Sequence, residues 1–315
     1  MRLTLGTRGS KLAQWQAEWV REQLAAAGHE VEIRIIKTTG DKLQTFAPDQ
    51  PLPVSIAGTV AEAGSKGLFI KEIEEALLAR EVDVAVHSLK DLPTEQPAGL
   101  VLGAVPQRED ARDVLIARDG QALALLPQGA RVATASLRRQ TQLRALRPDL
   151  TYVAIRGNLD TRLRKLERGD CEALVVAAAG VKRLGLGERV TAYFSFDQMC
   201  PAVGQGALGI EIRAHDPGAR AAVEPLDHPA THQAVRAERA LLRRLGGGCQ
   251  VPIAAYARWE DAQLQLQGLV ANLDGTQVIR ARGEGDAAEA LGVDVAEDLL
   301  RQGARRILDS LGKGC

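Results

Sequence analysis

Aromatic residues are scarce in this chain: Phe, Trp and Tyr together make up 3% of its 315 residues. Single-stranded nucleic-acid surfaces use aromatic rings as stacking platforms, so that class of function has little to build on. An excess of one charge is missing too. Forty Lys and Arg balance forty Asp and Glu, whereas a dedicated nucleic-acid binder carries a basic surplus. Any cationic site must therefore be local. Cysteine occurs only at positions 171, 200, 249 and 315, with no C-x-x-C pair. That spacing suggests neither a zinc site nor a disulfide framework, and a reducing, cytoplasmic setting follows. No apolar run approaches the ~18–20 residues of a membrane span. The N-terminus opens on the strand-like Leu3-Thr4-Leu5, without a signal-type apolar core.

What is present is alternation. Up to about residue 225, short β-rich runs are expected at Leu3–Thr7, Val31–Ile36, Val82–His87, Val101–Val105, Val114–Ala117, Arg131–Thr134, Tyr152–Ile155 and Ala173–Ala178. Helix-period patterns lie between several of them. One is Leu12, Trp15, Trp19, Val20 and Leu24, closed by Gly28, with both tryptophans on the expected core face; others are Phe69, Ile73, Leu77 and Leu159, Leu163, Leu166. Strand–helix alternation predicts layered α/β domains with largely parallel sheets. The stretch Ala47–Gly64, with three prolines and two glycines, reads as a long loop. Beyond about residue 228 the order changes to a helix (Ala234–Leu245), a glycine-rich loop, two or three strands with a hairpin at Leu273-Asp274-Gly275-Thr276, and one last helix near Val295–Leu311. That is a small α+β domain.

The informative pattern lies at the strand exits. They read Thr7-Arg8-Gly9-Ser10, His87-Ser88-Leu89-Lys90-Asp91, Thr134-Ala135-Ser136-Leu137-Arg138-Arg139, Arg156-Gly157-Asn158 through Arg162, and Ala179-Gly180-Val181-Lys182-Arg183. In open α/β sheets ligands bind at the carboxyl ends of strands, and helix N-termini there suit anions. Arginines in a first helical turn oppose the helix dipole, so their recurrence points to a multiply anionic ligand. Residues 131–183 hold 12 Lys/Arg against five Asp/Glu within a neutral protein. Arginine forks grip carboxylate or phosphate bidentately. Arg144, Arg147, Arg164, Lys165 and Arg168 sit well inside helices and are read as solvated.

Asp91 is the only acid of its strand exit, beside Lys90, and is a candidate proton donor or acceptor; a turn-capping role is the alternative. Cys249 follows three glycines, which lets its backbone approach other groups closely. Gly204–Gly209 matches G-x-G-x-x-G but follows no clear strand, so a dinucleotide role is not expected. His228 and His232 lack a third ligand, and no metal site is expected. A two-lobed binding module for polycarboxylates would explain the basic exits but would leave Cys249 idle.

The strand exits, together with Lys66-Gly67-Leu68-Phe69, Ser136–Gln140, Pro201–Ala207 and Gly247-Gly248-Cys249-Gln250, make the chain resemble the hydroxymethylbilane synthase (porphobilinogen deaminase) family from end to end. The resemblance implies an α/β fold: two periplasmic-binding-protein-like lobes joined by a hinge, plus a small C-terminal α+β domain. By that likeness lobe one covers 1–106 with 207–225, lobe two 107–206, and 226–315 carries the cofactor cysteine. It further implies a transferase that joins four porphobilinogen molecules on a dipyrromethane cofactor held by a thioether to Cys249, acting as a cytoplasmic monomer without nucleic acid or membrane. Asp91 matches the catalytic acid. Arg8, Ser10, Lys66, Ser88, Lys90, Thr134, Ser136, Arg138, Arg139, Arg156, Arg162 and Arg183 match residues that hold acetate and propionate groups. Phe69, Asn158 and Gln205 match further cleft positions. Two departures stand out: Glu62 where many relatives have lysine, and Ala135 where many have a small hydroxyl residue.

Overall fold

The structure, a computed structural model, describes residues 1–43, 69–247 and 251–312. Its elements run β1 (Arg2–Thr7), α1 (Lys11–Ala26), β2 (Glu30–Ile35), α2 (Thr39–Leu43), α3 (Lys71–Leu78), β3 (Val84–Ser88), β4 (Leu100–Ala104), β5 (Asp113–Ala117), β6 (Arg131–Ala133), α4 (Leu137–Leu146), β7 (Thr151–Val153), α5 (Leu159–Glu167), β8 (Ala173–Ala177), α6 (Ala178–Arg183), β9 (Ala192–Tyr193), β10 (Leu208–Arg213), α7 (Pro217–Val223) and α8 (Pro229–Arg244). The chain ends with β11 (Ile253–Glu260), β12 (Gln263–Ala271), β13 (Val278–Gly285), α9 (Ala288–Arg301) and α10 (Ala304–Gly312). Two compact units result: 1–108 with 207–232, and 109–206 with 233–315.

The first unit holds a five-stranded sheet ordered β2-β1-β3-β10-β4. β1 runs parallel to β2 and β3, while β10 is antiparallel to both β3 and β4. Alternation sorts its side chains. Leu3, Leu5, Val84 and Val86 pack on Ala17, Val20 and Leu24 of α1 and on α7. Ala85 packs on the other face against Ile73, Ala76 and Leu77 of α3. The core stripe of α1 is Ala13, Gln16, Ala17, Val20 and Leu24. Trp15 is thus not a core residue, being 37% exposed, and Trp19 is half-buried against the cluster.

The second unit repeats the arrangement. Its sheet is ordered β7-β6-β8-β5-β9, with β6 parallel to β7 and β8, and β5 antiparallel to β8 and β9. In both sheets an antiparallel strand is inserted before the last one, so the expected α/β lobes are mixed rather than wholly parallel. α5 and α6 pack on one face through Leu163, Leu166 and Val181, and α4 on the other through Leu143. The antiparallel sheet β11-β12-β13 shares a core with α8, α9 and α10, the small α+β domain expected. Within this unit Cys200 packs on Ala254 and Leu269, and Glu238 of α8 accepts from the backbone N–H groups of Gly204 and Ala257, at 2.7 and 2.8 Å. The single last helix expected from periodicity is two, divided at Gly303, whose φ of 104° suits glycine.

Candidate active site

Parallel strands deliver their exits to one edge of a sheet. In the first unit, β1 and β3 are neighbours with Leu5 opposite Val84 and Gly6 opposite Ala85, so Arg8, Ser10, Ser88, Lys90 and Asp91 emerge at the same edge. Ser10 caps α1, its Oγ accepting from Ala13 N at 3.3 Å. Ser88 Oγ accepts from Gln16 Nε2 of α1 at 2.8 Å. Ser88 leads into a 3-10 turn, Leu89–Asp91, in which Leu89 is buried and Lys90 and Asp91 are half-buried.

Arg8 is already engaged. Its guanidinium reaches Asp41 at 2.6 Å and lies 4.2 Å over the Phe69 ring. Burial raises the Asp41 carboxyl pKa, but hydrogen bonding and the charge of Arg8 overrule it, and the net shift is downward. Phe69 sits against α2 because position 40 is glycine: a Cβ there would fall 2.1 Å from the ring.

In the second unit β6, β7 and β8 likewise end at one edge, and the antiparallel β5 begins there, with Asp113 opposite Ala177. That topology places Asp113, fully buried, between two predicted ligand-binding arginines. Arg138 donates to Asp113 Oδ2 at 2.7 Å and to the Cys200 carbonyl at 2.7 Å; Arg139 Nε donates to Asp113 Oδ1 at 2.9 Å. Gln205, also buried, donates to Asp113 Oδ1 at 3.0 Å and to the Ala111 carbonyl at 2.7 Å. Burial alone would raise the Asp113 carboxyl, but the charges of Arg138 and Arg139 hold it down to about 2.

The structure corrects the dipole argument drawn from the sequence. The first-turn arginines of α4 are 4% and 6% exposed and have an anion supplied by the chain itself. One atom is left over: Arg138 Nε is buried with no hydrogen-bond partner among the described residues.

Nearby, Arg183 donates to the Gly206 carbonyl at 2.8 Å, and burial pulls its guanidinium down to about 10. Thr134 is buried with Oγ1 accepting from Ser136 N at 3.3 Å. Ser136 and Asn158 occupy the N-cap positions of α4 and α5 without side-chain capping bonds. Arg156 is exposed, and Arg162 Nε donates to the Gly157 carbonyl at 2.8 Å. Arg164 belongs to the solvated face, as expected, with its side chain 69% exposed. Cys249, Lys66, Glu62 and the 47–64 loop lie outside the described residues. His228 and His232 bond Thr231 and Asp227, and no cluster suited to a metal exists among the described residues. No described helix is long and apolar enough to cross a membrane.

The two like-ordered sheets, each with cationic strand exits along one edge, define a two-lobed α/β protein with a small third sheet. Residues 3–221 match the family description "porphobilinogen deaminase, dipyromethane cofactor binding domain", and residues 232–301 match "porphobilinogen deaminase, C-terminal domain". The chain belongs to the porphobilinogen deaminase family. The porphobilinogen deaminase of Syntrophobacter fumaroxidans is 50% identical over 313 residues, covering 98% of this chain and 97% of that one. That of Geobacter sulfurreducens is 50% identical over 311 residues, covering 98% and 94%. Among solved structures, the methionine-binding protein MetQ aligns with a TM-score of 0.42 at 13% identity, covering 75% of this chain and 93% of that one.

Proposed function

We infer that this protein is a hydroxymethylbilane synthase, a transferase of tetrapyrrole biosynthesis. It joins four porphobilinogen molecules head to tail with loss of ammonia, then releases hydroxymethylbilane by hydrolysis. The full-length similarity to porphobilinogen deaminases carries this reading. The second unit's chemistry fits a dipyrromethane group bearing carboxylates: the orphaned, buried Arg138 Nε is a charged donor that wants one more anionic acceptor. When bound through a thioether to Cys249, that cofactor supplies the pyrrole end to which each substrate is joined.

The chain's own residues divide the work. Lobe one (1–106 with 207–225) carries Asp91, and lobe two (107–206) carries most of the basic exits; 226–315 carries Cys249. At each joining the aminomethyl C–N bond of porphobilinogen breaks. Its nitrogen takes a proton from Asp91 and leaves as ammonia. Asp91 would then take back the proton released when the freed carbon is joined to the pyrrole end that the bound cofactor would supply. Arg8, Ser10, Lys66, Ser88, Lys90, Thr134, Ser136, Arg138, Arg139, Arg156, Arg162 and Arg183 hold the acetate and propionate groups. Phe69 and Asn158 orient the growing pyrrole chain, and the buried Gln205 holds Asp113 in place beside Arg138 and Arg139. For Arg8 and Arg139 this means sharing with, or exchange from, Asp41 and Asp113. The protein works as a cytoplasmic monomer, without nucleic acid or membrane.

The test is turnover of porphobilinogen by the purified holoenzyme, measuring ammonia and hydroxymethylbilane together. Four ammonia molecules per hydroxymethylbilane are expected. Binding of porphobilinogen without ammonia release would instead identify a binding module.

A further inference from the structure

Six buried side-chain nitrogen or oxygen atoms lack a hydrogen-bond partner among the described residues, five of them in the first unit. One is Arg138 Nε. The other five belong to Glu72, Glu74, His87 and Glu211, all in the first unit: Glu72 Oε2, Glu74 Oε1, His87 Nε2 and both oxygens of Glu211. Buried polar atoms are almost always paired, so this concentration calls for a physical account.

Topology explains how these groups meet. In the β3–β10 pairing His87 lies opposite Gly209 and Glu211 opposite Ala85, so the two side chains are diagonal neighbours on one face. That is the Ala85 face, on which α3 packs. His87 Nε2 lies 3.2 Å from Glu211 Oε2, with side chains 4% and 0% exposed. The contact is at ion-pair distance but out of line for a hydrogen bond. Glu74 comes from α3; Glu72, two positions earlier on that helix, is anchored separately to Thr39, whose N and Oγ1 donate at 2.6 and 2.5 Å.

We propose that Glu74, His87 and Glu211 form a buried polar cluster, with a proton held on Glu74, that positions the strand exit bearing Ser88, Lys90 and Asp91. Two carboxylates brought together under α3 are costly to keep charged, and a proton on Glu74 lowers the net charge held there. That proton also gives one of the orphaned carboxylate oxygens a donor. Burial first, and then the negative charge of Glu211, push the Glu74 carboxyl up to about 7, while the charge of His87 opposes the shift. Of the strands packed against α3, β1 brings only Arg2, which is exposed and paired with Glu30 and Glu32, and β4 carries no titratable residue. On β10, Arg213 is held by Asp83, Asp216 and the carbonyls of Leu77 and Val82. On α3 itself, Lys71 pairs with Glu75 at 4.0 Å, and Glu75 adds a further upward push on Glu74.

The link to the strand exit is covalent and hydrogen-bonded. Ser88 follows His87 directly and pairs with Leu208, and Leu89 N donates to the Ala207 carbonyl at 3.0 Å. Loss of the Glu74 proton leaves like charges between α3 and β10 and strains the registered ends of β3 and β10.

The experiment is a pH titration of the cofactor-bearing protein from pH 5 to 9 by NMR. It follows the Glu74 side-chain carboxyl and the backbone amides of residues 88–91 in wild type and in Glu74→Gln. The expected result is an inflection near pH 7 for the Glu74 carboxyl, against an ordinary ~4.3, with the amides of 88–91 following it. In Glu74→Gln that amide inflection disappears. Titration of Glu74 in the ordinary range would overturn the proposal. So would amides of 88–91 that ignore it, or an inflection that persists in Glu74→Gln. The claim concerns the first unit's own chemistry and stands or falls independently of the reaction assigned above.

Discussion

Replacing Asp113 by Asn should destabilise the fold far more than an ordinary polar substitution. The side chain keeps its size, but a fully buried carboxylate that accepts from Arg138, Arg139 and Gln205 becomes a neutral amide. One of its two oxygens becomes an NH2 that meets a guanidinium donor with another donor. Truncating one side of a buried ion pair costs about 3–5 kcal/mol, because the partner charge is left without compensation. Proton linkage gives a smaller figure for the carboxyl's own ionisation. A carboxyl held at about 2 against an ordinary 3.8 contributes about 2 kcal/mol. The sign follows from the depressed value: that contribution is complete above pH ~4 and is lost as the pH falls through about 2. Denaturant unfolding at pH 7 should therefore show Asp113→Asn weaker than wild type by about 3–5 kcal/mol, with the gap narrowing as the pH drops below ~4. A loss under about 1 kcal/mol at pH 7, the scale of an exposed pair, would refute the buried-network reasoning.

Arg138→Leu should cost less, about 1.5–3 kcal/mol, because Asp113 loses one charge-assisted bond but keeps Arg139 and Gln205. Arg164→Leu, whose i,i+4 contact to Asp160 is exposed at 3.7 Å, should stay within about 0.5 kcal/mol of wild type; urea denaturation of both variants decides the comparison. Asp91→Asn should lower turnover at least ~10²-fold, the usual scale of acid–base catalysis, with cofactor mass and melting temperature preserved; near-normal turnover would send the search for the acid elsewhere. Burial pushes the thiols of Cys171 and Cys200 up to about 11 and about 12. Iodoacetamide at pH 8 should therefore leave both unmodified in the native protein, as peptide mapping can verify.

Much of the architecture was legible because the apolar runs were short and regularly punctuated. β1, β3, β5 and β8 fall within a residue or two of where β-rich runs predicted them. Strand direction was not legible. Nothing in Asp113–Ala117 says that β5 enters antiparallel, and that orientation is what carries Asp113 to the edge where β6 and β8 end. The sequence reading consequently found the cations at 138 and 139 but missed their intramolecular partner. An acid opening an otherwise apolar strand was the available signal. The Arg8–Asp41 pair was missed for a related reason, since it joins a strand exit to a short helix across 33 positions. Trp15 was misplaced because the core stripe of α1 is completed by the polar Gln16, which turns inward to bond Ser88. The cluster around His87 was invisible because its members come from α3, β3 and β10 and only pairing register brings them together.

The central claim, that this chain builds its product on a covalently held dipyrromethane at Cys249, is most directly tested by intact-mass measurement of the purified native protein and by peptide mapping. The account predicts a species heavier than the 315-residue chain by one dipyrromethane, with the added mass on the peptide containing Cys249 and absent from Cys249→Ser. A fully active protein at its unmodified sequence mass, or an adduct on Cys171, Cys200 or Cys315, would contradict it.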